Sequence, residues 1–239
     1  MSNFPRIRIK ETKPINIENG YLIDGFPATG FTSAIATESL INTSQFELSG
    51  FIDSDSFPPV SIIKNGMPNY PTRIFVNNDL KVAVFSSYLT LHESLHRTIA
   101  KNMLKWAEQH KCSLIVSSVA VKSSDSDKEI IAAASTDTAK AKLKDAGISI
   151  LEHGTIPGIP GSLLNEGMIF NQNVVVILFN AKNVSPDFKS SVELCTAMSK
   201  LIPGVSCDIK SLQKEAETAE HDILQTEEET KILRDSMYR

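Results

Sequence analysis

Long apolar runs are missing from this chain of 239 residues: nowhere do eighteen apolar residues stand together. No membrane-spanning helix is therefore expected. The opening stretch, MSNFPRIRIKETKP, has basic residues but no apolar run behind them, so no secretory signal is expected and the protein should stay in the cytosol. Cysteine is scarce. Cys112, Cys195 and Cys207 are odd in number and far apart, which fits neither a disulfide framework nor a paired-cysteine zinc site, and buried small hydrophobes are expected instead. A basic excess is also lacking: 24 Lys and Arg stand against 28 Asp and Glu. A net charge of −4, with no cluster of bases interleaved with aromatics, argues against nucleic acid as a partner. The deficit is local, because Asp208 to Arg239 holds nine acids and five bases while the remainder has nineteen of each sign.

After Asn19-Gly20 the chain alternates apolar strand-like runs with helical patterns, the mark of an α/β sheet. The expected strands are YLIDGF, FELSGFI, VSIIKNG, TRIFVN, KVAVFSS, SLIVSSVAV, EIIAAAS, ISILEH and VVVILFNA. Several are solid apolar runs, as strands covered on both faces should be. Helices are expected from about Thr32 to Ile41, Thr90 to His110, Thr136 to Asp145, Pro160 to Glu166 and Pro186 to Leu201. One three-layer domain is more economical than two domains.

Two glycine-rich turns follow strands. The first, GFPATGFT, has the outline of a phosphate-binding loop, but Phe31 stands where that loop needs its lysine. Without the cation nothing neutralises charge in phosphoryl transfer, so Gly25 and Gly30 read as a tight turn that lets the next helix pack closely. The second, EHGTIPGIPGSLLNEG, mirrors it in placement. Both loops could border a ligand crevice at the carboxyl edge of one sheet, with Gly25, Gly30, Gly158 and Gly161 as its candidate residues; structural corners are the competing reading.

His92-Glu93-Ser94-Leu95-His96 is a literal match to the zinc-peptidase pattern, in which two histidines four apart hold the metal and the glutamate serves as general base. A third protein ligand is missing. Ile99 and Asn102 occupy the positions where the extended motif has Gly and His, and no glutamate lies between Gln109 and Lys128. The same letters have a structural account, a capping box in which Thr90 and Glu93 satisfy the first orphan N–H groups of a helix.

The segment from Asp208 has no proline or glycine and should form one long helix. Ile209, Leu212, Ala216, Ala219, Ile223, Thr226, Thr230, Leu233 and Met237 follow three-four spacing, a coiled-coil seam that is thin in its middle. A parallel self-dimer would bring Glu215 towards Glu220 and Asp222 towards Glu227, so packing on the body, antiparallel pairing or projection into solvent are the remaining arrangements. The ending Met237-Tyr238-Arg239 resembles the hydrophobic-Tyr-X signature of proteins that dock into α-ring pockets of the proteasome. An apolar anchor, a ring with a polar tip and a free carboxylate make physical sense of such docking.

From roughly residue 15 to 205 the chain resembles the proteasome-assembly-chaperone family, particularly its archaeal homologues. The resemblance is carried by GFPATGFTSAIATESLI and EHGTIPGIPGSLLNEG, with the Met-Tyr-Arg ending added. It implies a three-layer α/β/α sandwich, a homo-oligomeric body with projecting C-terminal segments, and binding of the proteasome core particle through its α-subunits without nucleotide or other cofactor. The expectation is therefore a non-catalytic binding protein, with a body over residues 1–205 and a projecting helix over 206–239 whose docking residues are Met237, Tyr238 and Arg239. The alternative is a zinc-dependent hydrolase centred on His92, Glu93 and His96.

Overall fold

The computed structural model describes residues 6–27, 32–121, 130–180 and 188–206, with Gln225, Thr226, Glu228 and Lys231. Its elements are β1 (Ile7–Glu11), β2 (Tyr21–Gly25), α1 (Thr32–Thr43), β3 (Glu47–Ser54), β4 (Ile62–Lys64), β5 (Met67–Asn69), β6 (Thr72–Asn77), β7 (Val82–Ser87), α2 (Glu93–Gln109), β8 (Leu114–Val121), β9 (Ile131–Ala134), α3 (Asp137–Asp145), β10 (Ser149–Ile150), α4 (Gly158–Ile169), β11 (Val174–Asn180) and α5 (Phe188–Leu201). Nine strands form one sheet in the order β1-β3-β6-β7-β2-β8-β11-β9-β10, and β4 and β5 pair separately. Its centre, β7-β2-β8-β11, is parallel; on one flank β6, β3 and β1 alternate in direction, each antiparallel to its neighbour, and on the other β9 and β10 both run against the centre.

The solid apolar runs are explained by burial on both sides. Leu22, Phe85, Ile115 and Val176 point into one core, against Leu95, Ile99, Met103 and Trp106 of α2 and Leu163 of α4. Their neighbours Ile23, Val84, Val116 and Ile177 point into the other core, against Leu40 of α1, Leu143 of α3 and Met198 of α5. The layering is thus α2 and α4, sheet, then α1, α3 and α5, the α/β/α architecture expected from the sequence. Across the first helical layer Glu166 of α4, buried, receives Arg97 of α2 at 2.6 Å.

Four expectations need correction. Asn65 and Gly66 both have positive φ, so the run read as one strand, VSIIKNG, turns at its end and returns as β5. Asn-Gly between apolar residues favours a two-residue hairpin because both positions tolerate the left-handed region. β1 lies outside the expected strands; it is an edge strand whose Ile7 and Ile9 pack on the core while Arg8 and Lys10 alternate with them. Its Glu11 is held by Trp106 Nε1 and by His110 Nε2, each at 2.8 Å. ISILEH is a strand only at Ser149 and Ile150, and Leu151 and Ile156 leave the sheet to pack against the α2 layer. Cys195, buried in α5, is disulfide-bonded, because sequence spacing does not say which sulfurs folding brings together. Cys112 is free, and burial pushes its thiol up to about 12.

Candidate functional site

β7, β2, β8 and β11 share a direction, so their carboxyl ends open on one rim of the sheet. Gly25 ends β2 there, and it is a packing glycine. A Cβ at this position would stand 2.8 Å from Thr37 Oγ1 of α1 and 2.9 Å from the Phe85 carbonyl oxygen. Gly30 lies outside the described residues.

The second loop reaches the same rim by a different route from the one its sequence suggests. β10 runs against the central strands, so its carboxyl end opens on the opposite rim. Residues 151–157 then cross the α2 face, and α4 begins at Gly158, where a Cβ would lie 3.9 Å from His96 Nδ1 in the first turn of α2. Gly158 needs its missing side chain because its φ is +76°. Gly161 needs it for space: a Cβ there would fall 2.0 Å from the Ile156 carbonyl oxygen.

The histidines of the zinc pattern are separated by the helix boundary. His92 is the N-cap of α2, with extended backbone, and its Nδ1 accepts from the Ser94 N–H at 3.3 Å. It is therefore His92, and not Thr90 with Glu93, that caps this helix. His96 lies inside the helix with Nε2 at 3.1 Å from the Leu91 carbonyl. A helix face shared by both rings, which the zinc pattern requires, does not form. Among the described residues no three His, Cys, Asp or Glu side chains come together as a metal site.

Two buried acids near the carboxyl rim did not stand out in the sequence. Asp24, within β2, accepts from Ser117 Oγ at 2.7 Å and from the Phe26 N–H at 3.1 Å. Burial nevertheless raises its pKa to about 6, against an ordinary 3.8. The folded protein thus holds this proton to higher pH than the unfolded chain, and stability from this group is gained as pH falls through the window from 6 to 4. The gap of about 2 pKa units corresponds to roughly 3 kcal/mol at neutral pH. Urea denaturation of wild type and Asp24→Asn should therefore show the wild type gaining about 2 kcal/mol relative to the variant between pH 7 and pH 4.5.

On the other face Glu38 of α1 gathers three elements. Its Oε1 accepts from Arg73 Nη2 of β6 at 3.1 Å and from Ser86 Oγ of β7 at 2.6 Å. Its Oε2 accepts from Tyr88 Oη at 3.3 Å, and Lys64 Nζ of β4 donates to that same hydroxyl at 2.9 Å. The Arg73 guanidinium also lies over the Tyr88 ring, 4.5 Å from its centre. Burial first, and the charge of Glu38 second, push the Tyr88 phenol above its ordinary pKa. A carboxylate held by a guanidinium and two hydroxyls is suited to locking elements together. The single hint in the sequence was Glu38 itself, a charge inside the apolar helix TSAIATESLINT.

Only part of the tail is described. Thr226, helical, is buried, while Gln225, Glu228 and Lys231 around it are exposed. An isolated helix cannot bury a threonine on its own, so at this turn the tail is covered by another part of the chain. Met237, Tyr238 and Arg239 lie outside the described residues.

The model of the PAC2 family matches residues 22–227. The chain belongs to the PAC2 family. The resemblance to proteasome-assembly chaperones carried by the two glycine loops is thereby borne out. Pyrococcus furiosus PbaA, an archaeal homologue of proteasome-assembly chaperone, has a similar fold, with a TM-score of 0.80, 24% identity, and coverage of 95% of this chain and 100% of its own. P. furiosus PbaB, an archaeal proteasome activator, superposes with a TM-score of 0.72 at 18% identity, over 92% of this chain and 98% of its own. An uncharacterised protein of Methanocaldococcus jannaschii is 24% identical over 223 residues, 93% of this chain and 92% of that relative.

Proposed function

We propose that this PAC2-family protein is a non-catalytic, ATP-independent proteasome-binding protein that docks its C-terminal Met237-Tyr238-Arg239 into α-ring pockets of the core particle. What carries the reading is the combination of a PbaA-like and PbaB-like body with a hydrophobic-Tyr-X ending. The geometry of the rim adds support. Gly25 and Gly161 have close-packing roles, and the candidate metal pair is engaged within its own helix start.

In this reading residues 1–205 form a self-associating body and residues 206–239 deliver the docking tripeptide. Burial of Thr226 limits how much of that segment stands free, and the docking tripeptide is the part required to reach a pocket. Gly25, Gly158 and Gly161 are assigned to shaping the rim in preference to holding a ligand. Pull-down of proteasome α-subunits by the full-length chain and by one lacking its last three residues tests the proposal. Capture by the first and loss by the second is expected; equal capture by both would remove the tail from the mechanism.

A further inference from the structure

Residues 55–71, between β3 and β6, build a surface that the tail-docking reading does not use. Ile63 and Pro68 face each other across the β4–β5 hairpin. Pro68 has no N–H to donate, and Lys64 and Met67 flank the two-residue turn as the bonded pair, so the Ile63 backbone N–H and C=O point away from β5. Among the described residues no other strand pairs with this hairpin, so within them the outer edge of β4 at Ile63 carries no strand. The side chain at that edge is apolar and exposed: Ile63 has 63% of its surface in solvent.

Beside the hairpin lies a cavity of about 640 Å³, within the range of peptide and small-ligand sites. Its apolar walls include Phe57, Val60, Pro68 and Tyr70. Tyr70 is 47% exposed and rests on Phe51 at a centroid distance of 4.9 Å, so a large ring is presented in a fixed position. The polar part of the lining is acidic on balance. Arg8 Nη2 sits 2.8 Å from Asp53 and 2.7 Å from Asp55, one cation between two carboxylates. The hairpin is held in place from behind, where Lys64 donates to Tyr88 and Ile62 packs against that ring. Such a surface is already ordered before anything binds, which lowers the entropy cost of association.

We infer that this hairpin and cavity bind an extended segment of a partner protein that carries a lysine or arginine next to an aromatic or branched aliphatic side chain. The main chain of the segment adds to the edge of β4 at Ile63, its apolar side chain enters the cavity against Tyr70 and Phe57, and its base meets the carboxylate in excess at Asp53 and Asp55. Charge complementarity selects this occupant over an acidic peptide, which would be repelled.

The test is to pan a phage-displayed library of random peptides on the full-length protein and to measure one enriched sequence by fluorescence anisotropy. Enriched peptides should place a base beside an apolar residue. Binding should weaken by about tenfold or more in Ile63→Ser, in Tyr70→Ala and when the peptide's base is replaced by glutamate, and should fall as salt is raised. Ile63→Ser touches no core and should leave the thermal melt unchanged, separating lost contact from lost folding. Failure to enrich any peptide, enrichment of acidic sequences, or affinity indifferent to Ile63→Ser and Tyr70→Ala would overturn the inference. So would a change of sedimentation in Ile63→Ser, which would show this face to be covered by a second copy of the chain.

Discussion

Glu38→Gln is expected to lower the stability of the body by about 3–5 kcal/mol, the range for removing one partner of a buried ion pair. The side chains of Glu38 and Arg73 are only 11% and 7% exposed, so water cannot take over the charge that is left behind. Glutamine keeps the shape and can still accept from Ser86, but it leaves Arg73 buried without a counter-charge. Arg73 is already short of partners, since its buried Nε has none. For a chain of this size the loss should appear as a fall in melting temperature on the order of 10 °C. Arg8→Ala removes an ion triad with as many hydrogen bonds, yet its effect should be far smaller because those side chains are 41–77% exposed and water screens them. The difference between these two variants, measured by thermal or urea denaturation, isolates burial as the controlling variable. A double change to apolar residues, Glu38→Leu with Arg73→Met, should recover much of the loss, since neither charge then remains to be solvated. Equal effects of Glu38→Gln and Arg8→Ala would contradict the account.

What the sequence revealed about this fold, and what it concealed, follows from the range of the interactions involved. Doubly buried strands such as Leu22-Ile23 and Val174 to Phe179 are apolar on consecutive positions, so the covered sheet was legible locally. Helix ends were less so. Thr90 and His92 both suit a cap, and only the folded backbone shows that the helix begins one residue after the histidine. The Asn65-Gly66 turn was legible in principle, and reading it would have split one strand into the β4–β5 hairpin. β1 was harder, because an edge strand with alternating charges resembles a solvated terminus until Glu11 is seen beneath Trp106 and His110. The route of residues 151–157 across the sheet depends on β9 and β10 running antiparallel to β11, which local sequence does not encode. The Glu38 cluster unites residues 24 to 50 positions apart, and no single-chain pattern announces such a meeting. The tail was legible as chemistry alone: the order Met-Tyr-Arg says what a pocket would have to recognise.

Tyr238→Ala is expected to abolish capture of the proteasome core particle without altering folding or self-association. The tyrosine offers a large contact area with few rotatable bonds, and the adjoining chain end offers a carboxylate that no internal residue can supply. Appending a glycine after Arg239 should therefore be as damaging as removing the ring, although every side chain is kept, because it moves the carboxylate out of register. One tripeptide binds weakly. Several carried on one oligomeric body and facing a ring of pockets gain through effective concentration, commonly by a factor on the order of 100 or more. A variant made monomeric with its tail intact should accordingly bind only feebly, and its affinity should return when the tails are joined artificially. Titration of core particle with the four proteins, followed by native electrophoresis or surface plasmon resonance, separates these contributions. The expected order is wild type, then the monomeric variant far weaker, then Tyr238→Ala and the glycine extension without measurable binding. If Tyr238→Ala binds as well as wild type, the contact is made by the α/β/α body, and the rim and hairpin surfaces become the places to look for it.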